Sequence, residues 1–347
     1  MSRIGVMTFL HNGNYGSTLQ AYALQRVLRD MGHECEHIDY QPDRWEKSRN
    51  FIVCGNHPKL LIEGRQKRKV LADEEAARQK RASIHEFYES RMQLSPACRN
   101  HRELAAICGR YDLLMCGSDQ IWNPTWLNPA YFLDFAPPEM WRVAYAPSLG
   151  VSVAPGRRKS RMIREMTELF DSISVREEEG ARVMVTITGQ RPPVTPDPVC
   201  LLTKEEWTEL AGETEEREPY LLCYFIGENP SYWERVGQIS KETGLRPMII
   251  PVTEEAFRRE EEKWPGVGPV EFLRAIAGAD MICTDSFHGL AFGTIFEKRI
   301  ELCRRYRDED RDSKNSRVDH FIREVKTSGL EKMRETGLEW LREATEK

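Results

Sequence analysis

The chain has 347 residues, enough for about two domains, and its 40% hydrophobic and 30% charged content is that of a globular protein. A formal net charge of −5 gives no overall field that would draw it to nucleic acid. Nine scattered cysteines without a C-x-x-C pair argue for reduced, buried thiols rather than a disulfide framework, and no metal is expected.

In chain order, Ile4–Phe9 is a short apolar run, and His11-Asn12-Gly13-Asn14-Tyr15-Gly16-Ser17 is turn chemistry. Leu19–Met31 has apolar residues at helical spacing, Gly32 ends it, and Glu36–Tyr40 restarts a strand. The chain turns polar at His11 before any secretory core forms, and no apolar run approaches the ~20 residues of a membrane span, so a cytoplasmic location is expected.

Residues 44–98 break the rhythm as a charged helical excursion. Asp73–Met92 is its helix, and Arg65, Lys67, Arg68 and Lys69 are basic residues for solvent or an acidic partner. Strands return at Tyr111–Cys116 and Ser172–Val175, with a helix at Met162–Phe170. The Pro-rich Pro192–Pro198 reads as lying near a domain exit. A second set has strands at 220–225, 246–251, 281–284 and 300–303, helices at 231–243, 269–277 and 289–296, and a charged helical tail. The predicted division is 1–205, 206–318 and 319–347, an α/β protein with two parallel sheets.

Ligands of such sheets bind beyond the carboxyl ends of strands, so polar loops that follow apolar runs are the candidates. Asn14, Tyr15, Gly16 and Ser17 offer either a helix cap at Ser17 or a ligand loop. Gly117, Ser118, Asp119, Gln120, Trp122 and Asn123 follow a buried strand. Their amides and carboxylate suit sugar hydroxyls, Trp122 suits a sugar face, and a locally satisfied turn is the alternative. Arg176 ends the strand before Glu177, fit to clamp a carboxylate or phosphate, or to pair with Glu177, Glu178 or Glu179. Thr284-Asp285-Ser286-Phe287-His288-Gly289 precedes an apolar helix. That places His288 at the start of the helix, an imidazole suited to moving protons, with Asp285 three residues before it. Arg304, Arg305, Arg307, Arg311 and Arg317 make the following region cationic.

These motifs, in order and spacing, resemble the polysaccharide pyruvyl transferase family. They are Asn14-Tyr15-Gly16-Ser17 with Leu19-Gln20-Ala21-Tyr22-Ala23-Leu24-Gln25, Gly117 to Pro124, Ala144 to Gly150, Ile173 to Glu177, Asp197-Pro198-Val199, Thr284 to Gly289, and Asn315-Ser316-Arg317. The resemblance implies a GT-B-like fold, two Rossmann-like parallel-sheet domains facing across a cleft. It implies transfer of the pyruvyl group of phosphoenolpyruvate, as co-substrate with no cofactor, to a sugar or lipid-linked oligosaccharide as a ketal. Peripheral membrane contact goes with such an acceptor. By resemblance Arg176 binds the donor and His288, with Asp285, serves as acid/base or phosphate ligand. Where better-known members carry an arginine two residues before the motif histidine this chain has Ser286, and Arg317 is the implied substitute. Two alternatives stay open: a GT-B glycosyltransferase using a nucleotide sugar, and a non-catalytic binding member of an assembly complex.

Overall fold

The structure is a computed structural model that describes residues 1–56, 74–213, 217–305 and 315–346. It divides into two compact units: Met1–Leu60 with Tyr88–Leu201 and Arg311–Lys347, and Leu61–Phe87 with Leu202–Asp310. The basic residues Arg65, Lys67, Arg68 and Lys69, like Arg307 and Arg311, lie outside the described residues.

The first unit is built from β1 (Arg3–Met7), α1 (Tyr15–Asp30), β2 (Glu34–His37), α2 (Arg44–Cys54), the end of α3 (Glu74–Arg91), α4 (His101–Ile107), β3 (Leu113–Cys116), β4 (Trp141–Ala144), α5 (Arg157–Thr167), β5 (Ser172–Ile173) and α6 (Glu178–Thr188). Its five strands are all parallel in the order β2-β1-β3-β4-β5. All four residues of β3 are buried, as expected of a strand covered on both faces. β4 escaped the sequence reading because Trp141-Arg142-Val143-Ala144 shows too short an apolar run to read as a buried strand. Buried Arg142 instead satisfies its charge on backbone carbonyls, including Ala136 O at 2.7 Å and Pro137 O at 2.9 Å.

α1 begins four residues before the predicted start. Asn14 Oδ1 accepts from Gly16 N at 2.9 Å and Ser17 N at 3.4 Å, so Asn14 is the cap and Ser17 lies inside the first turn. Gly32 has φ +89°, the left-handed backbone that ends a helix. His33 and His37 stand four residues apart, but along a turn and a strand rather than a helix face. His37 Nε2 donates to Ala21 O at 2.8 Å in the core. Among the described residues no group of three or more His, Cys, Asp or Glu side chains is placed to hold a metal ion, and no helix is long and apolar enough to cross a membrane.

The second unit contains most of α3, then α7 (Lys204–Ala211), β6 (Tyr220–Tyr224), α8 (Pro230–Thr243), β7 (Arg246–Ile249), α9 (Glu254–Arg258), β8 (Glu262–Lys263), α10 (Pro269–Gly278), β9 (Met281–Thr284), α11 (Phe287–Ile295) and β10 (Arg299–Leu302). Its parallel sheet has the order β10-β9-β6-β7-β8. Two-residue β8 is too short to show any periodicity in sequence.

The charged tail is two helices, α12 (Asn315–Thr327) and α13 (Gly329–Thr345), broken at Gly329 with φ +78°. Its apolar side belongs to the first unit: Met333, Leu341 and Ala344 are buried, and Trp340 lies 5.7 Å from Tyr145. Gly337 allows the close approach, because a Cβ there would meet Leu201 at 2.5 Å. Pro192–Pro198 lies shortly before the division between the units at Leu201 and Leu202 and is anchored in the first: Val175 pairs with Val194, and Thr195 and Asp197 are buried.

Candidate functional site

In each sheet the strand order reverses once, between β1 and β3 in the first and between β6 and β9 in the second. Loops leaving the carboxyl ends of such neighbours diverge and leave room for a ligand. Both candidate constellations sit at these points. Met7 is opposite Cys116, and Tyr224 is opposite Thr284, so each pair of loops emerges level.

In the first unit, Gln20 on α1 ties the two loops together. Its Nε2 donates to Thr8 Oγ1 at 3.0 Å, and its Oε1 accepts from Ser118 N at 3.1 Å. Thr8 Oγ1 in turn donates to Ser118 O at 3.1 Å, and Ser118 Oγ to Ala146 O at 2.6 Å. Gly117 has φ +121°, and a Cβ there would sit 1.9 Å from Tyr145 O, so no other residue fits. Ser17 Oγ donates to Asp119 Oδ2 at 2.5 Å, while Asp119 Oδ1 accepts from Gln120 N at 2.8 Å. With its amide oxygen turned toward Arg317, Gln120 accepts from both terminal guanidinium nitrogens at 2.8 and 3.2 Å.

Arg176 follows β5 and is 4% exposed among three carboxylates. Asp197 Oδ2 lies at 2.5 Å, Glu177 Oε2 at 3.7 Å and Asp119 Oδ1 at 4.0 Å. Burial opposes the charge, but Asp197, Glu177 and Asp119 outweigh it and hold the guanidinium pKa above its ordinary value. Ser148 Oγ donates to Glu177 Oε1 at 2.8 Å and completes the buried network.

In the second unit, Asp285 follows β9 and its carboxylate is held from β6 and from after β10. Oδ1 accepts from Ile226 N at 2.7 Å; Oδ2 accepts from Gly227 N and Arg305 Nε, both at 2.8 Å, and from Tyr232 Oη at 3.4 Å. Ser286 caps α11, its Oγ accepting from Gly289 N at 3.3 Å. Thr284 Oγ1 donates to Tyr224 O at 2.6 Å, and Gly289 must be small because a Cβ there would meet Thr284 Oγ1 at 2.5 Å. His288 is the second residue of α11 and 8% exposed. The imidazole therefore sits in the first turn, where the backbone N–H groups and helix dipole favour an anion.

A model of the polysaccharide pyruvyl transferase family matches residues 14–299, which span both constellations. The chain belongs to that family. No curated protein matches it. Among solved structures it is similar to UDP-GlcNAc 2-epimerase from Methanocaldococcus jannaschii, at 10% identity and TM-score 0.53 over 99% of each chain. It is also similar to a putative UDP-N-acetylglucosamine 2-epimerase from Listeria monocytogenes, at 10% identity and TM-score 0.51 over 99% of this chain and 96% of that one. At such identity these likenesses show the fold, which is GT-B-like.

Against this background several predicted pyruvyl transferase roles change. Trp122 offers no sugar-stacking face: it is fully buried, stacked on Phe132 at 4.8 Å, and donates from Nε1 to Tyr131 O at 3.0 Å. Arg176 pairs chiefly with Asp197, a partner no local reading suggested, and three carboxylates already match its charge. Ser286 and Asn14 are caps, Tyr15 is a core side chain, Gly16 contributes its N–H to the cap, and Ser17 serves Asp119. Asp285 is clamped by backbone and Arg305. The sequence reading also missed His11, whose Nε2 lies 2.6 Å from Asp39 Oδ1 in the loop after β1. In the sequence His11 is part of a turn, and only the parallel pairing of β1 with β2 brings Asp39 near it.

Proposed function

We propose that this chain transfers the pyruvyl group of phosphoenolpyruvate to a sugar of a surface-polysaccharide precursor, closing a ketal. Family membership supports the reaction class. The observation that carries the site assignment is His288 in the first turn of α11, at the point where the second sheet reverses its strand order. An anionic donor suits that helix N-terminus, and an imidazole there is placed to move a proton.

The chemistry asks for one acid and one base. A proton goes to the methylene carbon of phosphoenolpyruvate, and the electron pair of the double bond forms the C–H bond. A sugar hydroxyl oxygen bonds to the adjacent carbon and loses its proton. The carbon–oxygen bond to phosphate breaks, phosphate leaves with the electron pair, and a second hydroxyl closes the ketal and loses its proton. Of the two protons released, one replaces that used on the methylene and one leaves with phosphate. His288 is the proposed proton donor, and Asp285 with Arg305 positions the loop it stands on. Arg317, oriented by Gln120, is the proposed guanidinium for donor charge in place of buried Arg176. Asp119 and Gln120 are assigned to acceptor hydroxyls. A lipid-linked acceptor and a cytoplasmic location, where phosphoenolpyruvate is available, complete the reading.

The test is phosphate release from phosphoenolpyruvate in the presence of lipid-linked precursors, with a mass gain of one pyruvate ketal on the acceptor. His288→Gln should lower the rate by roughly 10²–10⁴-fold with an unchanged melting temperature. Wild-type turnover in that variant removes His288 from catalysis. Stabilisation of the protein by a UDP- or GDP-sugar, and not by phosphoenolpyruvate, overturns the donor assignment in favour of glycosyl transfer. Stabilisation by neither donor, with no turnover, favours the binding-module reading.

A further inference from the structure

Helix α2 is built inside out. Its buried face carries polar groups: Glu46 is 5% exposed and Asn50 6%, with Cys54 two turns on from Glu46. The Glu46 carboxylate and the Asn50 amide nitrogen find partners inside. Glu46 Oε1 meets His101 Nδ1 at 3.2 Å and Asn50 Nδ2 at 3.3 Å, and Asn50 Nδ2 donates to Asn128 Oδ1 at 3.1 Å. Three of its apolar side chains point outward instead. Trp45 is 86% exposed, Ile52, seven residues and two turns later, 71%, and Val53 44%. A single exposed apolar residue needs no explanation; a tryptophan and an isoleucine aligned on one solvent face of a helix do.

The charges around that face are mostly of one sign: the exposed acid is the N-cap Asp43, and Arg49 pairs with Glu46 at 3.2 Å. Arg44, Lys47 and Arg49 of α2 are exposed, whereas its one acid, Glu46, faces inward. The neighbouring α5 adds more: Arg158 donates to Val53 O at 2.9 Å, and Arg157 beside it is exposed. Val153, at 68% exposure, precedes α5. This basic rim stands on a chain whose net charge is −5, so it is a local feature and not a consequence of composition.

We propose that the exposed face of α2, with the start of α5, docks on an anionic lipid bilayer. A tryptophan and aliphatic side chains ringed by long cations match the two layers of such a surface. The rings and methyls enter the acyl boundary, and the ammonium and guanidinium groups stay at the lipid phosphates. The proposal does not depend on the identity of the donor or on turnover.

The experiment is co-sedimentation of the full chain with phosphatidylcholine vesicles, with and without phosphatidylglycerol. Binding is expected only with phosphatidylglycerol and should weaken as salt rises. Trp45→Ser with Ile52→Ser should weaken it about tenfold or more, at an unchanged melting temperature because the face is exposed. Arg44→Glu with Lys47→Glu, which keeps the apolar face, should weaken it as well and serves if the first variant misfolds. No binding by the wild type, or equal binding by both variants, overturns the proposal. So does vesicle-free self-association in ultracentrifugation that Trp45→Ser with Ile52→Ser abolishes, since the face would then belong to a second copy.

Discussion

The two sheets reverse strand order in the same way, yet the loops beyond their reversal points are built differently. In the first, the charge is internal: Arg176 is surrounded by Asp197, Glu177 and Asp119, and the loop residues bond one another across β1, α1 and β3. In the second, one carboxylate, Asp285, is gripped by two backbone N–H groups and a partly exposed Arg305, and the loop runs directly into α11. The first arrangement holds a shape. The second ends in a helix terminus that carries His288 in its first turn, and the catalytic proposal falls there.

The difference can be broken most severely at the glycines. Gly117→Ala would drive a methyl into backbone at Tyr145 in a left-handed conformation, and we expect a loss above about 4 kcal/mol or no folded protein. Gly289→Ala would press on the Thr284 side chain rather than on backbone, at roughly 1–3 kcal/mol. Thermal melts of the two variants that rank in the other order would contradict the contrast between a rigid and a yielding loop.

Next comes the charge test. Asp197→Ala takes the nearest of three carboxylates from a buried guanidinium, and an unfolding free energy lower by about 3–5 kcal/mol is expected. Asp285→Ala should cost less, roughly 1–3 kcal/mol, because the Arg305 side chain is 26% exposed and water can take the carboxylate's place. Urea titration of both variants measures the gap, and equal losses would remove it.

Acid should act on the first unit through His37. Burial pushes its pKa down to about 4, and the hydrogen bond at Ala21 O only partly opposes this. In the unfolded chain a histidine titrates near 6.5, so the unfolded state takes up the proton first. Stability is full above that value and is lost as pH falls from about 6.5 to about 4, by up to roughly 3 kcal/mol. His37→Gln should flatten that slope in urea midpoints measured across the window, even if it lowers stability at neutral pH.

The smallest effects should come from the matching caps. Asn14→Ala and Ser286→Ala each remove a side-chain acceptor from a first helical turn, at about 1 kcal/mol. If Ser286→Ala also abolishes turnover while Asn14→Ala does not, Ser286 does more than cap.

Much of this architecture was readable from local pattern. Apolar runs at Leu113–Cys116 and Met281–Thr284 form the buried centres of the two sheets, and the polar residues directly after them lie at the reversal points. Failures came where neighbours distant in sequence decide a residue's role. Trp122 had the right company for a sugar platform, but Phe132 and Tyr131 enclose it. The tail looked uniformly charged because its Met333, Leu341 and Ala344 are sparse, and only docking beside Tyr145 and Leu201 shows their common side.

The sequence alone determined most of the alternation of strands and helices and the positions of the polar loops, which follow from periodicity, and pointed to the family through the resemblance of its ordered motifs. Tertiary structure decided which polar side chains are spent inside the protein. It placed Asp197 against Arg176 and turned Trp45 of α2 outward while Glu46 went in. Burial and charge pairing depend on what comes within a few ångströms in space, and no spacing along the chain encodes that distance.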